Sequence, residues 1–264
     1  MTAAVSASRD LGSAINVLSA SPWAHGIDAQ TPLATVERRV FSALLWQVRV
    51  LAGWLPAEGV EMIRSCVAWF EIRNVEDRIA HLAGMPARVP FELGRLGVIS
   101  RALPSTDSRA DIRRLLAGSS WGDPGADDAY SIRMWMLHRW HRRARDAAPE
   151  LRVWGDAAVW LLAVRERLAD RPGADLVRSD PPRFPPSWRW VTATPWTSGN
   201  LWTAEDRWWA QVEEEGARLF HSPITSRKPV IGAIATLAAS ARDLAVALEI
   251  VSGWSSVEGF DATG

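Results

Sequence analysis

Three short phrases constrain this chain more than any other feature. Ser21-Pro22-Trp23, Ser119-Ser120-Trp121 and Thr194-Pro195-Trp196 each set a small or hydroxyl pair ahead of a Trp, and each precedes a long helical pattern. With 16 Trp among 264 residues one such match is cheap. Three with the same sequel point to an internal repeat, which settles an architecture before any single element does.

The sequel is a pair of helices each time. After Pro32, Val40, Phe41, Leu44, Leu45, Val48, Leu51 and Leu55 recur at spacings of three and four, with Arg38, Arg39, Ser42, Gln47 and Arg49 elsewhere. Pro56 ends this helix, because a residue before proline avoids helical geometry. A second helix is predicted from about Glu58 to Ala83, closed by Gly84 and Pro86. So short a connection makes the two an antiparallel hairpin. Phe91 to Leu103 reads as a brief helix, and Ser108-x-x-Asp111 as a capping box ahead of Ile112, Leu115 and Leu116.

Behind the Trp121 phrase, helices are predicted at about 127–147 and 155–169. The prolines and missing apolar period of 174–186 mark a connecting loop. Behind Trp196, Thr203-x-x-Asp206 is expected to cap a helix to about Phe220, and the last helix runs from about Pro229 to Val251. Trp188 to Val191 is the one extended piece. The fold class is all-α, with three helical repeats at 11–104, 105–173 and 187–253. Aligning 67–75 with 236–244 sets Arg73 on Arg242, Asn74 on Asp243 and, further on, Gly84 on Gly253.

Composition excludes more than it assigns. Lys plus Arg and Asp plus Glu balance at 30 each, so no global field favours nucleic acid or an anionic membrane. Cys66 is the sole cysteine, which removes an internal disulfide and a multi-Cys metal site. The amino end lacks the basic start and apolar core of a signal peptide. A span needs about 18–20 apolar residues. The nearest run, Val230 to Ile250, is broken by Ser240, Arg242, Asp243 and Glu249. The expectation is a soluble chain that reaches a membrane only through a partner.

Ser21-Pro22-Trp23 and Thr194-Pro195-Trp196 resemble the Thr-Pro-Tyr phrase of the C subunit of V/A-type rotary ATPases, called subunit d in eukaryotes. Leu44 to Pro56 is similar to that family's first hairpin helix, and Phe70-Glu71-Ile72-Arg73-Asn74-Val75-Glu76-Asp77-Arg78 resembles its Asp-x-x-Asn-Leu segment, which continues towards an Arg. Pro229 to Gly253 resembles its closing helix, with Ser240 and Asp243 where the family tends to have Glu and Asn. The family also starts with a further helix carrying Tyr and Arg, where this chain has only Leu11 to Ser19. The resemblance implies a funnel of three similar helical-hairpin domains around a pseudo-threefold axis. It also implies a non-catalytic rotor subunit on the cytoplasmic face of the membrane, one copy per complex. There it would join the central stalk to the membrane ring and couple ATP hydrolysis or synthesis to proton or sodium transport.

The residues themselves offer little chemistry. No Walker-type loop occurs, and no catalytic, cofactor-binding or metal residue is assigned. His138 and His141 with Asp146 form a thin metal candidate, read instead as partly exposed histidines among arginines. Arg139-Trp140-His141-Arg142-Arg143-Ala144-Arg145 raises nucleic acid or an acidic protein, against a solvated helix end favoured by the dipole. Asp127-Asp128 beside Tyr130 raises a terpene-cyclase-like enzyme, but the next turn offers Ser131 and Ile132 in place of a third carboxylate. A helical interaction scaffold unrelated to ATPases is the other alternative. Glu213-Glu214-Glu215 reads as a solvated face, and most Trp as core. Trp23 and Trp196 are expected as wedges between repeats; replacing a buried one by Ala costs about 3–5 kcal/mol.

Overall fold

The computed structural model describes residues 1–170, 182–223 and 225–253, and every regular element among them is helical. Ten α-helices occur there: α1 Thr2–Ser6, α2 Leu11–Ser19, α3 Leu33–Gly53, α4 Ala57–Leu82, α5 Arg109–Ala117, α6 Ala129–Ala147, α7 Arg152–Leu168, α8 Trp190–Ala193, α9 Trp202–Phe220 and α10 Lys228–Val251. The loop expected at 174–186 lies, as far as residue 181, outside the described residues.

The helix ends follow from local chemistry. Asp10 caps α2 and Ser108 caps α5, each side chain accepting from the backbone N–H three residues on, at 2.7 and 3.1 Å. At the far end of α4, Gly84 takes φ +95°, while its N–H reaches His81 and that of Met85 reaches Ala80. This pair of bonds is a Schellman close, which needs the left-handed residue that glycine supplies.

Three expectations are corrected. Phe91 to Leu103 is not a helix but carries short 3-10 turns at Gly94–Leu96 and, just beyond, Leu103–Ser105. The amides of Val98, Ile99 and Ser100 are spent on Glu71 and so cannot propagate a helix. Trp188 to Val191 is helical rather than extended, spanning the end of a 3-10 turn and the start of α8. Thr203 does not cap α9: the helix starts at Trp202, Thr203 donates to the Asn200 carbonyl, and Asp206 pairs with Arg242 on α10.

The chain forms two compact units, residues 48–159 and residues 1–47 with 160–264. In the first, α4 and α6 pack antiparallel. Trp140 reaches the Ser65 carbonyl at 2.7 Å near one end, and Arg133 pairs with Glu76 at 2.9 Å near the other. Between them Ala68, Ile72 and Val75 meet Ile132 and Met136, closed by Ile112, Leu116 and Trp121. In the second unit α9 and α10 form a hairpin whose backbones touch at Gly216 and Gly232, and α1 and α2 pack on α10. Val5, Ala14, Ile15 and Leu18 are fully buried there. Contrary to the sequence reading, α10 is long and apolar enough to cross a membrane, although nearly half of its most apolar stretch is buried within the protein.

One order of elements occurs three times among the described residues. A short helix (α2, α5, α8) leads into a Trp phrase, and two long helices follow (α3–α4, α6–α7, α9–α10).

Candidate functional site

The densest polar constellation is built on α4. Glu71, Asn74 and Arg78 recur at spacings of three and four, so they share one helix face. Each takes hold of the segment between α4 and α5. Asn74 exchanges two hydrogen bonds with the backbone of Phe91, donating to its carbonyl at 2.9 Å and accepting from its N–H at 2.7 Å. The Arg78 guanidinium donates to the Thr106 carbonyl at 3.1 Å.

Glu71 is fully buried and fully used. Its Oε1 accepts from the backbone N–H groups of Val98, Ile99 and Ser100 at 2.7, 2.8 and 3.1 Å and from the Ser100 hydroxyl at 2.8 Å. Its Oε2 accepts from the Trp121 indole N–H at 2.8 Å. A buried carboxylate is tolerated only with such a set of donors. A side chain at Gly97 would displace the Ser100 hydroxyl, which is held by its bond to Glu71.

Trp121 is the hub of this unit. Its carbonyl accepts from Trp135 at 2.9 Å and from Arg139 at 3.1 Å, and the Arg143 guanidinium lies over its ring, 4.8 Å from the centroid. Beside it opens a cleft of about 410 Å³, walled by Glu61, Arg64 and Ser65 of α4, by Gly97, and by Ser120 and Arg143. Arg64 pairs with Glu61 and donates to the Arg95 carbonyl at 3.2 Å. Burial and then the neighbouring Arg139 lower the Arg143 guanidinium's pKa from its ordinary value, outweighing Glu61 and Glu71.

Two of the three Trp phrases share more than letters. The Ser21 hydroxyl donates to the Leu18 carbonyl at 2.6 Å and accepts from the Trp23 N–H at 3.2 Å. The Ser119 hydroxyl does the same with Leu116 and Trp121, at 2.7 and 3.0 Å. From cap (Asp10, Ser108) through buried Leu (Leu18, Leu116) to Trp, the two segments correspond residue for residue at a shift of 98. The third phrase differs: the Thr194 hydroxyl reaches back to the Trp190 carbonyl, and the Trp196 indole to that of Val191, both at 2.8 Å. Trp23 and Trp196 are half-buried, so the cost of a buried ring belongs to Trp121 instead.

The other candidates are spent on structure. The 139–145 cluster is no simple solvated end. Arg139 and Arg143 face Trp121, Trp140 ties to α4, His141 meets Asp156 at 3.0 Å, and only Arg142 and Arg145 are exposed. His138 is half-buried, and burial holds its imidazole below its usual pKa. No group of three His, Cys, Asp or Glu suited to a metal occurs among the described residues. Asp128 caps α6, accepting from the Ser131 N–H at 2.8 Å, while Asp127 is exposed. Glu215 turns inward to accept from the Trp188 indole at 2.8 Å, so 213–215 is not one solvated face. Burial pushes the Cys66 thiol up to about 12, so it stays protonated at neutral pH.

Tryptophan is used mostly as a fastener rather than as core. Among the described residues Trp121, Trp154, Trp188 and Trp190 are buried, Trp46, Trp54 and Trp202 are exposed, and the others are half-buried. The periodicity of α4 alone does not separate Glu71, Asn74 and Arg78 from its solvated polar residues. The available signal was a Glu and an Asn on the same stripe as Ile72 and Val75, where a polar group must have an assigned partner. Comparisons of the chain with protein-family models, with curated proteins and with solved structures give no match.

Proposed function

We propose that this chain is a non-catalytic adaptor: a central rotor subunit of a V/A-type ATPase that joins the central stalk to the membrane ring. The observation that carries the reading is the threefold order of short helix, Trp phrase and two long helices, with the Ser21–Trp23 and Ser119–Trp121 hydrogen bonds repeated in kind. In this proposal the three sets are quasi-equivalent hairpin domains arranged as a funnel about a pseudo-threefold axis. The stalk enters the funnel and the ring lies beneath it. The subunit works as a stiff collar, and torque passes through it to ion transport, proton or sodium. Its place is the cytoplasmic face of the membrane, held there by the complex.

Rigidity is what such a part must supply, and the α4 face supplies it. Glu71, Asn74 and Arg78 pin the loop from Phe91 to Thr106 to one helix with hydrogen bonds that are buried or half-buried. Docking needs apolar surface left uncovered, and Trp54 at 85 % exposure is the most exposed large apolar side chain of the described residues.

The deciding experiment is affinity purification of the tagged chain from mild-detergent membranes, followed by mass spectrometry. Recovery with a Walker-type ATPase and an apolar ring protein is expected. Trp54→Ser should weaken that recovery and leave thermal unfolding unchanged. A chain recovered alone would overturn the rotor reading.

A further inference from the structure

We propose that the cleft beside Trp121 is a binding site for the phosphate group of a small molecule, gripped by Arg143 and Arg64. The inference uses only side chains of the 48–159 unit and does not rest on the ATPase reading.

Arg143 projects from α6 over the Trp121 ring. It is half-buried, and among the described residues it forms no ion pair or hydrogen bond; its one close partner is the face of the Trp121 ring. A guanidinium normally satisfies its five donors in a planar fork, and a ring face satisfies none of them. The negative groups nearby are already engaged. Glu61 is paired with Arg64, and Glu71 is saturated by five neutral donors. Arg139 adds a third positive charge within one helical turn of Arg143, and its Nη2 lies 3.4 Å from the Ser120 carbonyl. The surroundings therefore work against the Arg143 cation, and an anion in the cleft relieves that directly.

The chemistry of the walls selects the anion. Two guanidinium groups line the cleft on separate helices, which is the arrangement that takes a phosphate by forked hydrogen bonds. Ser120 adds a hydroxyl that has no partner among the described residues, on the same rim. The three guanidinium groups exceed Glu61 and Glu71 by one charge, so the cleft stays net positive. A phosphate monoester, with close to two charges near neutral pH, offers acceptor oxygens to the forks on both helices. The volume, about 410 Å³, falls in the range of small-ligand pockets and leaves room for an organic part beyond the phosphate.

The test is titration of the full chain with inorganic phosphate at fixed ionic strength, balanced with sodium chloride, read by calorimetry and by thermal unfolding. Saturable binding and a rise of Tm with phosphate concentration are expected, since a ligand that binds only the folded state stabilises it by mass action. Arg143→Met keeps an aliphatic stem on the Trp121 ring and should weaken binding at least tenfold. Arg64→Met should weaken it as well, with circular dichroism showing that both variants fold. No saturable binding in the millimolar range would overturn the proposal. So would equal affinity in wild type and Arg143→Met, which would make Arg143 a structural counter-charge to Glu71. Acetate binding more tightly than phosphate would overturn the choice of phosphate.

Discussion

A buried carboxylate and a buried indole N–H are each destabilising alone; the Trp121 indole supplies the one donor to Glu71 Oε2, at 2.8 Å, and in that bond meets its own need for an acceptor. Trp121→Phe tests that bond, because it keeps most of the ring and removes only the donor. It should destabilise the protein by about 1–3 kcal/mol, the cost of leaving one buried acceptor unmatched. Trp121→Ala should cost more, about 3–5 kcal/mol, since the ring also fills the core between α4 and α6. Urea midpoints at constant slope measure both. A Phe variant indistinguishable from wild type would show that the indole bond carries no weight. Trp23→Ala should fall below Trp121→Ala, because its ring is half-buried. The phrase itself was legible in the sequence, but which Trp is buried was not. That depends on whether a carboxylate on another helix waits for the indole, and Glu71 stands 50 residues away from Trp121.

Helices are where the sequence spoke most clearly. The boundaries at Pro32, Pro56, Gly84 and Ser108 were readable because proline, glycine and capping residues act through their own backbone, within a few residues. The reading failed at Phe91 to Leu103, where a distant Glu71 takes the amides a helix would have needed, and at Thr203, where no side chain caps α9. Two predictions belong to this scale. Gly232 sits where α10 crosses α9, and a Cβ there would collide with the backbone of Phe220 and Gly216. Gly232→Ala should therefore lose about 1–3 kcal/mol despite alanine's better helix propensity. Gly53→Ala, with open space around it, should be neutral or slightly stabilising in the same thermal assay. The second concerns the cap of α6. The Ser131 side chain and N–H hold the Asp128 carboxyl below its usual range. A depressed carboxyl contributes stability above its unfolded pKa, about 3.9, and loses it as pH falls through the folded value. Asp128→Asn keeps a capping oxygen that does not titrate. Its stability relative to wild type should therefore rise as pH drops from 5 towards 2, and a constant difference in Tm would refute the cap's role.

At the scale of the molecule, the unit of residues 1–47 and 160–264 draws its core from both ends of the sequence. No periodicity within a helix announces such a pairing, so the partners of α10 were not legible, although its apolar character was. Its length and hydropathy suit a membrane, yet Ile231, Ala235, Ala239, Leu244 and Leu248 are buried within the protein, and Arg242 pairs with Asp206 of α9. Part of that cover comes from α1 and α2, whose Val5, Ile15 and Leu18 leave no surface exposed. Deleting residues 1–19 uncovers the α10 face without altering α9 or α10 themselves. The expected result is dye binding typical of exposed apolar surface, a broadened unfolding transition, and faster amide exchange across 228–251. Replacing only Ile15 by Asp should reproduce the faster exchange in milder form, because a charge at this buried position of α2 loosens the packing of α2 on α10. Wild-type exchange rates in 228–251 after both changes would mean that α9 alone stabilises α10 and that the amino-terminal helices are passengers.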